Sequence, residues 1–136
     1  MIRVVVCVDE AGGLYFNGRR QSRDRVMISD LIKTVGDERI YISDYSLPLF
    51  KGYEDNVKVC NTPLSECPDG GICFIELTQI GEYMVRVGEI IIYNWGEKYP
   101  ADKRLDFSPK NSRMSLVSEY SFEGSSHKKI TKGVYK

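Results

Sequence analysis

The chain has 136 residues, with 19 basic and 19 acidic side chains and one histidine. At 42% hydrophobic and 28% charged, its composition is that of a globular chain long enough to bury a core, not of a disordered one. A formal net charge of zero argues against wholesale electrostatic capture of nucleic acid or an anionic membrane, and a lone imidazole, His127, excludes a metal centre built from histidines.

Residues 2–8 are apolar almost throughout, which reads as a central strand covered on both faces. Asp9 to Gly13 and Asn17-Gly18 read as turns around a short segment, Leu14 to Phe16. A helix is expected over 22–34 with Ser22 as N-cap. Val26, Met27, Leu31 and either Ile28 or Val35 supply its apolar stripe, and Gly36 supplies the stop. Residues 39–43 form the next expected strand. A short helix over 45–50 follows, then a strand over 56–60, a loop over 63–71 and a buried strand over 71–75. A helix is expected over 79–85, weakened by Gly81, and a strand over 89–95. Residues 115–122 alternate, with Leu116, Tyr120 and Phe122 as the expected buried face. Residues 130–135 read as a terminal strand pairing antiparallel at an edge.

Strands alternating with short helices, then strands in succession, imply an α/β sheet. It is mostly parallel, with flanking helices and an antiparallel C-terminal hairpin. No linker or repeat divides the chain, so residues 1–136 read as one domain. The longest apolar runs are strand-sized and too short to span a bilayer. The N-terminus lacks the features of a signal peptide, and cytoplasmic residence is expected. Cys7, Cys60, Cys67 and Cys73 contain no Cys-x-x-Cys spacing, which points to reduced, buried thiols rather than a zinc or redox motif.

The segment Val5-Val6-Cys7-Val8-Asp9-Glu10-Ala11-Gly12-Gly13-Leu14-Tyr15-Phe16-Asn17-Gly18 resembles the first strand and mobile loop of the dihydrofolate reductase family. The helix at 22–34, the strand at 39–43 and the stretch from Glu89 to Tyr135 resemble later parts of the same fold. Three strings are similar to a group of small bacterial proteins of this fold, some labelled ribonuclease Z. They are Phe16-Asn17-x-Arg19-Arg20-Gln21-Ser22-Arg23-Asp24-Arg25, Tyr99-Pro100-x-Asp102, and Gly124-Ser125-Ser126-His127-x-Lys129-Ile130-Thr131-Lys132. A zinc phosphodiesterase needs several histidines for two metals, and this chain has one, so no metal site is expected.

The resemblance implies NADPH and folate binding, but this chain departs from the family's pattern where those ligands sit. The family's Pro-Trp becomes Gln21-Ser22, and its catalytic acid falls on or near Met27, with Asp24 and Asp30 about one turn away on either side. The family's Gly-Arg-x-Thr becomes Ser43-Asp44-Tyr45-Ser46, and its Gly-Gly becomes Glu76-Leu77. Both changes bring carboxylates toward the place of a phosphate. The portion that would hold adenosine, near 47–75, is reduced.

The leading expectation is therefore a protein that keeps the scaffold but has a degenerate NADPH and folate site. It would bind a small planar or phosphorylated ligand, including a pterin-like one, without standard reductase activity and without a required cofactor. The alternative is an oxidoreductase using NADPH or NADH with a rebuilt site. There Asp24 or Asp30 acts as the proton donor, its pKa raised by apolar surroundings, and Ser43 and Ser46 hold the dinucleotide. Candidate ligand contacts are Tyr15, Arg19, Arg20, Arg23, Met27, Ser43, Ser46 and Tyr93. The arginines offer an anion site at a helix start, and Tyr93 with Trp95 shares one strand face suited to stacking. Ser125, Ser126 and His127 contain the makings of a nucleophile–base pair, with no aspartate in an obvious orienting position in the sequence. A third alternative is an interaction module, monomeric or dimeric, that uses the edge near 130–135. No membrane or nucleic-acid partner is expected.

Overall fold

Seven strands form one sheet in the computed structural model, which describes residues 1–109 and 112–136. In chain order the elements are β1 (Ile2–Val8), β2 (Gly13–Phe16), β3 (Arg19–Arg20), α1 (Arg25–Val35), β4 (Ile40–Ile42), β5 (Val57–Val59), α2 (Pro63–Glu66), β6 (Ile72–Ile75), β7 (Val87–Asn94), β8 (Lys103–Arg104), β9 (Leu116–Phe122) and β10 (Ile130–Tyr135). The main sheet runs β5-β4-β6-β1-β7-β10-β9, while β3, β2 and β8 make a small second sheet. From β5 to β7 every neighbour is parallel; β10 is antiparallel to both β7 and β9.

The central position of β1 follows from its composition. Val4 lies between Cys73 and Ile90, and Val5 between Phe74 and Ile91, so β-branched side chains fill both faces. Val5 faces the core that includes Met27, Ile28, Leu31 and Val35 of α1, with Phe50, Phe74, Ile91 and Tyr93. Ile2, Val4 and Val6 face a second core with Leu14, Leu64, Cys73, Ile75, Ile80 and Ile90. The alternation of a strand thus assigns its residues to two opposite hydrophobic layers. Among the described residues, no helix is long and apolar enough to cross a membrane.

Several sequence expectations are corrected. Helix α1 starts at Arg25 and its N-cap is Asp24, not Ser22. The Asp24 carboxylate accepts hydrogen bonds from the Val26 and Met27 amides, as an N-cap should. Residues 81–86 form a 3-10 helix, consistent with Gly81 at a positive φ of 52° resisting an α start. The loop expected over 63–71 contains α2, opened by Pro63 at its first turn. Strand β10 is interior and β9 is the edge, so the expected edge near 130–135 does not exist. Leu116 and Tyr120 are exposed; of the three residues expected to be buried in β9, only Phe122 packs against the core.

Candidate functional site

The connection from β1 leads to β4 on one side of the sheet, while that from β6 crosses β1 to reach β7 on the other. Where connections diverge in this way, the carboxyl ends of the strands leave a crevice, and open α/β sheets place ligands there. Three polar clusters occupy or flank this end of the molecule.

The first is built around Asp24, whose side chain is wholly buried. Besides its two cap bonds, the carboxylate accepts from the Ser125 amide at 3.0 Å and the Ser126 amide at 2.8 Å. His127 Nδ1 lies 2.9 Å from Asp24 Oδ2, and His127 Nε2 lies 2.9 Å from Ser22 Oγ. Trp95 stacks on the imidazole at 4.5 Å between ring centroids, and Tyr99 meets it edge-on. Burial alone would raise the Asp24 pKa, but bonds from His127 and from the Ser125, Ser126 and Met27 amides outweigh it and hold it at about 2. Asp24 is therefore an ionised acceptor at neutral pH. The expectation that it holds a proton for donation is reversed, because apolar surroundings are here overcome by five donors.

Gly124 lets the carboxylate reach this turn. A Cβ at Gly124 would collide with the Asp24 carboxylate and with Ile130 Cδ1. Gly124→Ala should therefore cost about 1–3 kcal/mol, as overpacking does, readable as a lowered urea midpoint with an unchanged slope.

The second cluster closes the ends of β4 and β6. Arg20 grips Glu76 with two bonds, Nε to Oε1 at 2.8 Å and Nη2 to Oε2 at 3.0 Å. Ser46 donates to Glu76 Oε2 at 2.7 Å, and the Ser43 hydroxyl lies 3.5 Å from that of Ser46. The Arg20 guanidinium also lies over the Tyr45 ring, 4.2 Å from its centroid. Arg20, Ser43 and Ser46 are thus brought together, but around an internal carboxylate.

The third cluster joins α1 to the sheet. Asp30 accepts from the Tyr93 hydroxyl at 2.6 Å and from the Tyr120 hydroxyl, and pairs with Lys132 Nζ at 3.1 Å. Burial would raise the Asp30 pKa, but Tyr120, Tyr93 and Lys132 together lower it. Asp30 is therefore no raised-pKa acid either. Tyr93 is fully buried, so its ring packs in the core and is not available for stacking on a ligand.

The remaining expected contacts separate. Met27 is core. Tyr15 is half-buried in β2 and packs against the second core. Arg19 is exposed beside the Asn17-Gly18 turn of the β2–β3 hairpin and joins none of the three clusters. Arg23 is exposed and lines an open cleft of about 830 Å³ with Arg25, Lys51, Ile28, Pro48 and Leu49; Ser125 and Ser126 close one side.

Glu76, Lys132 and the Ser22–His127–Asp24 contact were not among the expected site residues. One signal did point to the last of them. The three strings singled out in the sequence converge in space. Gln21 donates to Asp9 at 2.9 Å and to the Pro100 carbonyl at 3.2 Å, Asn17 donates its amide to Asp102 at 3.1 Å, and Ser22 and Asp24 meet residues 125–127. Among the described residues, no group of three or more His, Cys, Asp or Glu side chains is placed to hold a metal ion.

No protein-family model and no curated protein sequence matches the chain. Among solved structures it is similar to dihydrofolate reductase from Enterococcus faecalis complexed with NADP(H) and RAB-propyl. The TM-score is 0.65 at 10% sequence identity, covering 99% of this chain and 95% of that one. The chain therefore has a dihydrofolate reductase-like α/β fold. At that identity the likeness concerns the fold and carries no residue roles.

Proposed function

We propose that this dihydrofolate reductase-like protein binds a small ligand with a flat apolar body and an anionic end, without standard reductase chemistry. The observation that carries this reading is the cleft beside the start of α1. Ile28, Pro48 and Leu49 supply its apolar wall, and Arg23, Arg25 and Lys51 supply positive charge against one exposed acid, Glu54. Apolar walls with a few convergent charged groups are the usual make-up of a small-molecule site. The ionised Asp24 also lines the cleft and offsets part of that positive charge.

The solved relative named above is complexed with NADP(H), and a dinucleotide reading for this chain has the fold in its favour. The residues at the carboxyl ends of β4 and β6 fit it poorly. A phosphate arriving there meets Glu76, finds Arg20 already neutralised, and finds the Ser46 hydroxyl already donating.

A thermal-shift titration tests both readings. Dihydrofolate or inorganic phosphate should raise the Tm saturably. At a hundredfold excess over Kd the stabilisation is about 2.7 kcal/mol, a shift on the order of 10 °C. Replacing Arg23 and Arg25 together with alanine should abolish it. A saturable shift with NADPH or NADH would overturn this reading in favour of the oxidoreductase.

A further inference from the structure

We propose that Ser22, His127 and Asp24 constitute an acyl-transfer site in which Ser22 is the nucleophile and His127 the base, while Asp24 positions the imidazole. This goes beyond the ligand-binding reading, because it concerns the far side of the 124–127 turn and needs no occupant of the cleft.

Asp24 is ionised and can only accept, so the hydrogen between it and His127 belongs to Nδ1. In the neutral imidazole Nε2 then carries the lone pair, and the Ser22 hydroxyl is its donor at 2.9 Å. That is the tautomer a base needs to take a proton from a serine. The Asp24 and His127 side chains are fully buried, so the pair works out of water, while Ser22 is half-buried and reachable. Trp95 against one face and Tyr99 at the edge leave the imidazole little freedom to turn.

The depression beside Ser22 is lined by Cys7, Leu14, Ile75 and Trp95 with Gln21, Arg20 and Glu76, and at about 10 Å³ it holds at most one water-sized group, so an acyl group on Ser22 lies toward solvent. Gln21 Oε1, buried and without a hydrogen-bond partner, offers an acceptor to a donor on the substrate. Cys7 is not a competing nucleophile: burial, with Glu76 and Asp24 adding negative charge, keeps its pKa well above the usual thiol range.

The reaction balances with water as the only co-reactant. Ser22 Oγ bonds to the carbonyl carbon of an ester while its proton passes to His127 Nε2. The ester C–O bond breaks, and the leaving alkoxide takes that proton. Water, deprotonated by the same nitrogen, then attacks the acyl-serine, releasing the acid and restoring the hydroxyl.

The test uses the whole chain with a serine-directed fluorophosphonate and with p-nitrophenyl acetate. In the first case Oγ–P forms, P–F breaks, and fluoride leaves. Intact-mass and peptide mapping should place one label per chain on Ser22, and nitrophenolate release should fall at least about 100-fold in Ser22→Ala. Ser22→Ala leaves the His127–Asp24 pair intact, so folding does not confound it. Because the chain holds one histidine, its ring nitrogens can be read by NMR without ambiguity. Wild type should show the proton on Nδ1, and Asp24→Asn should move it to Nε2 while slowing labelling. Label on lysine or cysteine instead, a rate equal to that of Ser22→Ala, or a wild-type proton on Nε2 would each overturn the proposal.

Discussion

Asp24→Ala is expected to lose about 3–5 kcal/mol of stability, the largest loss of any single substitution outside the apolar core. Two cap amides of α1 lose their acceptor, which alone is worth about 0.5–2 kcal/mol. The Ser125 and Ser126 amides and the buried His127 ring are stranded as well. The acid limb of the stability curve checks the cause. The carboxyl has a folded pKa of about 2 against an ordinary 3.8. A depressed pKa means the contribution is fully present above about pH 4 and lost as pH falls through about 2. The pKa difference corresponds to about 2 kcal/mol. Urea titrations of wild type and Asp24→Asn should therefore converge between those pH values. Parallel curves would mean that Asp24 acts by packing and not by charge.

Breaking the Asp30–Lys132 pair should be nearly as costly, and unequal on its two sides. Asp30→Ala leaves the Lys132 ammonium, itself 5% exposed, with hydroxyl partners only, and removes the acceptor for Tyr93 and Tyr120. A loss of about 3–5 kcal/mol is expected. Lys132→Met leaves Asp30 with both tyrosine donors and should cost about 1–2 kcal/mol. A double variant, Asp30→Leu with Lys132→Met, should recover much of the Asp30→Ala loss, since apolar replacement of a buried pair is often neutral. Equal costs for the two single changes in urea unfolding would show that the pair is solvated and not buried.

Much of the scaffold could be read from the residues because burial on both faces leaves a local mark. β1, β6 and β7 announce themselves as apolar runs, and their parallel pairing follows from the connections between them. The errors arose where a distant partner decides. Ile130 to Tyr135 contains Thr131 and Lys132 and so reads as an edge, yet Asp30 on α1 neutralises the lysine and makes an interior place tenable. Ser22 and Asp24 are both good caps. Asp24 takes the role, and its carboxylate is completed by the Ser125 and Ser126 amides and the His127 ring, a hundred residues away, which no local pattern reveals. For the site, each of the three strings was visible on its own. That they touch was not, because their contacts span 79 to 105 residues of sequence.

The position of β10 has a consequence for how the molecule comes into being. Chains leave the ribosome N-terminal end first, and domains fold as their parts emerge. Here the strand between β7 and β9, and the turn that seats Asp24, are both supplied from beyond residue 123. Until that stretch clears the exit tunnel, β7 presents an open apolar border and Ser22 has no base beside it. Assembly of the sheet and of the polar cluster at its end is thus a single late event, made slow by the long loops it must close. A chain truncated before β10 should accordingly remain bound to chaperones, and one that includes β10 should be released.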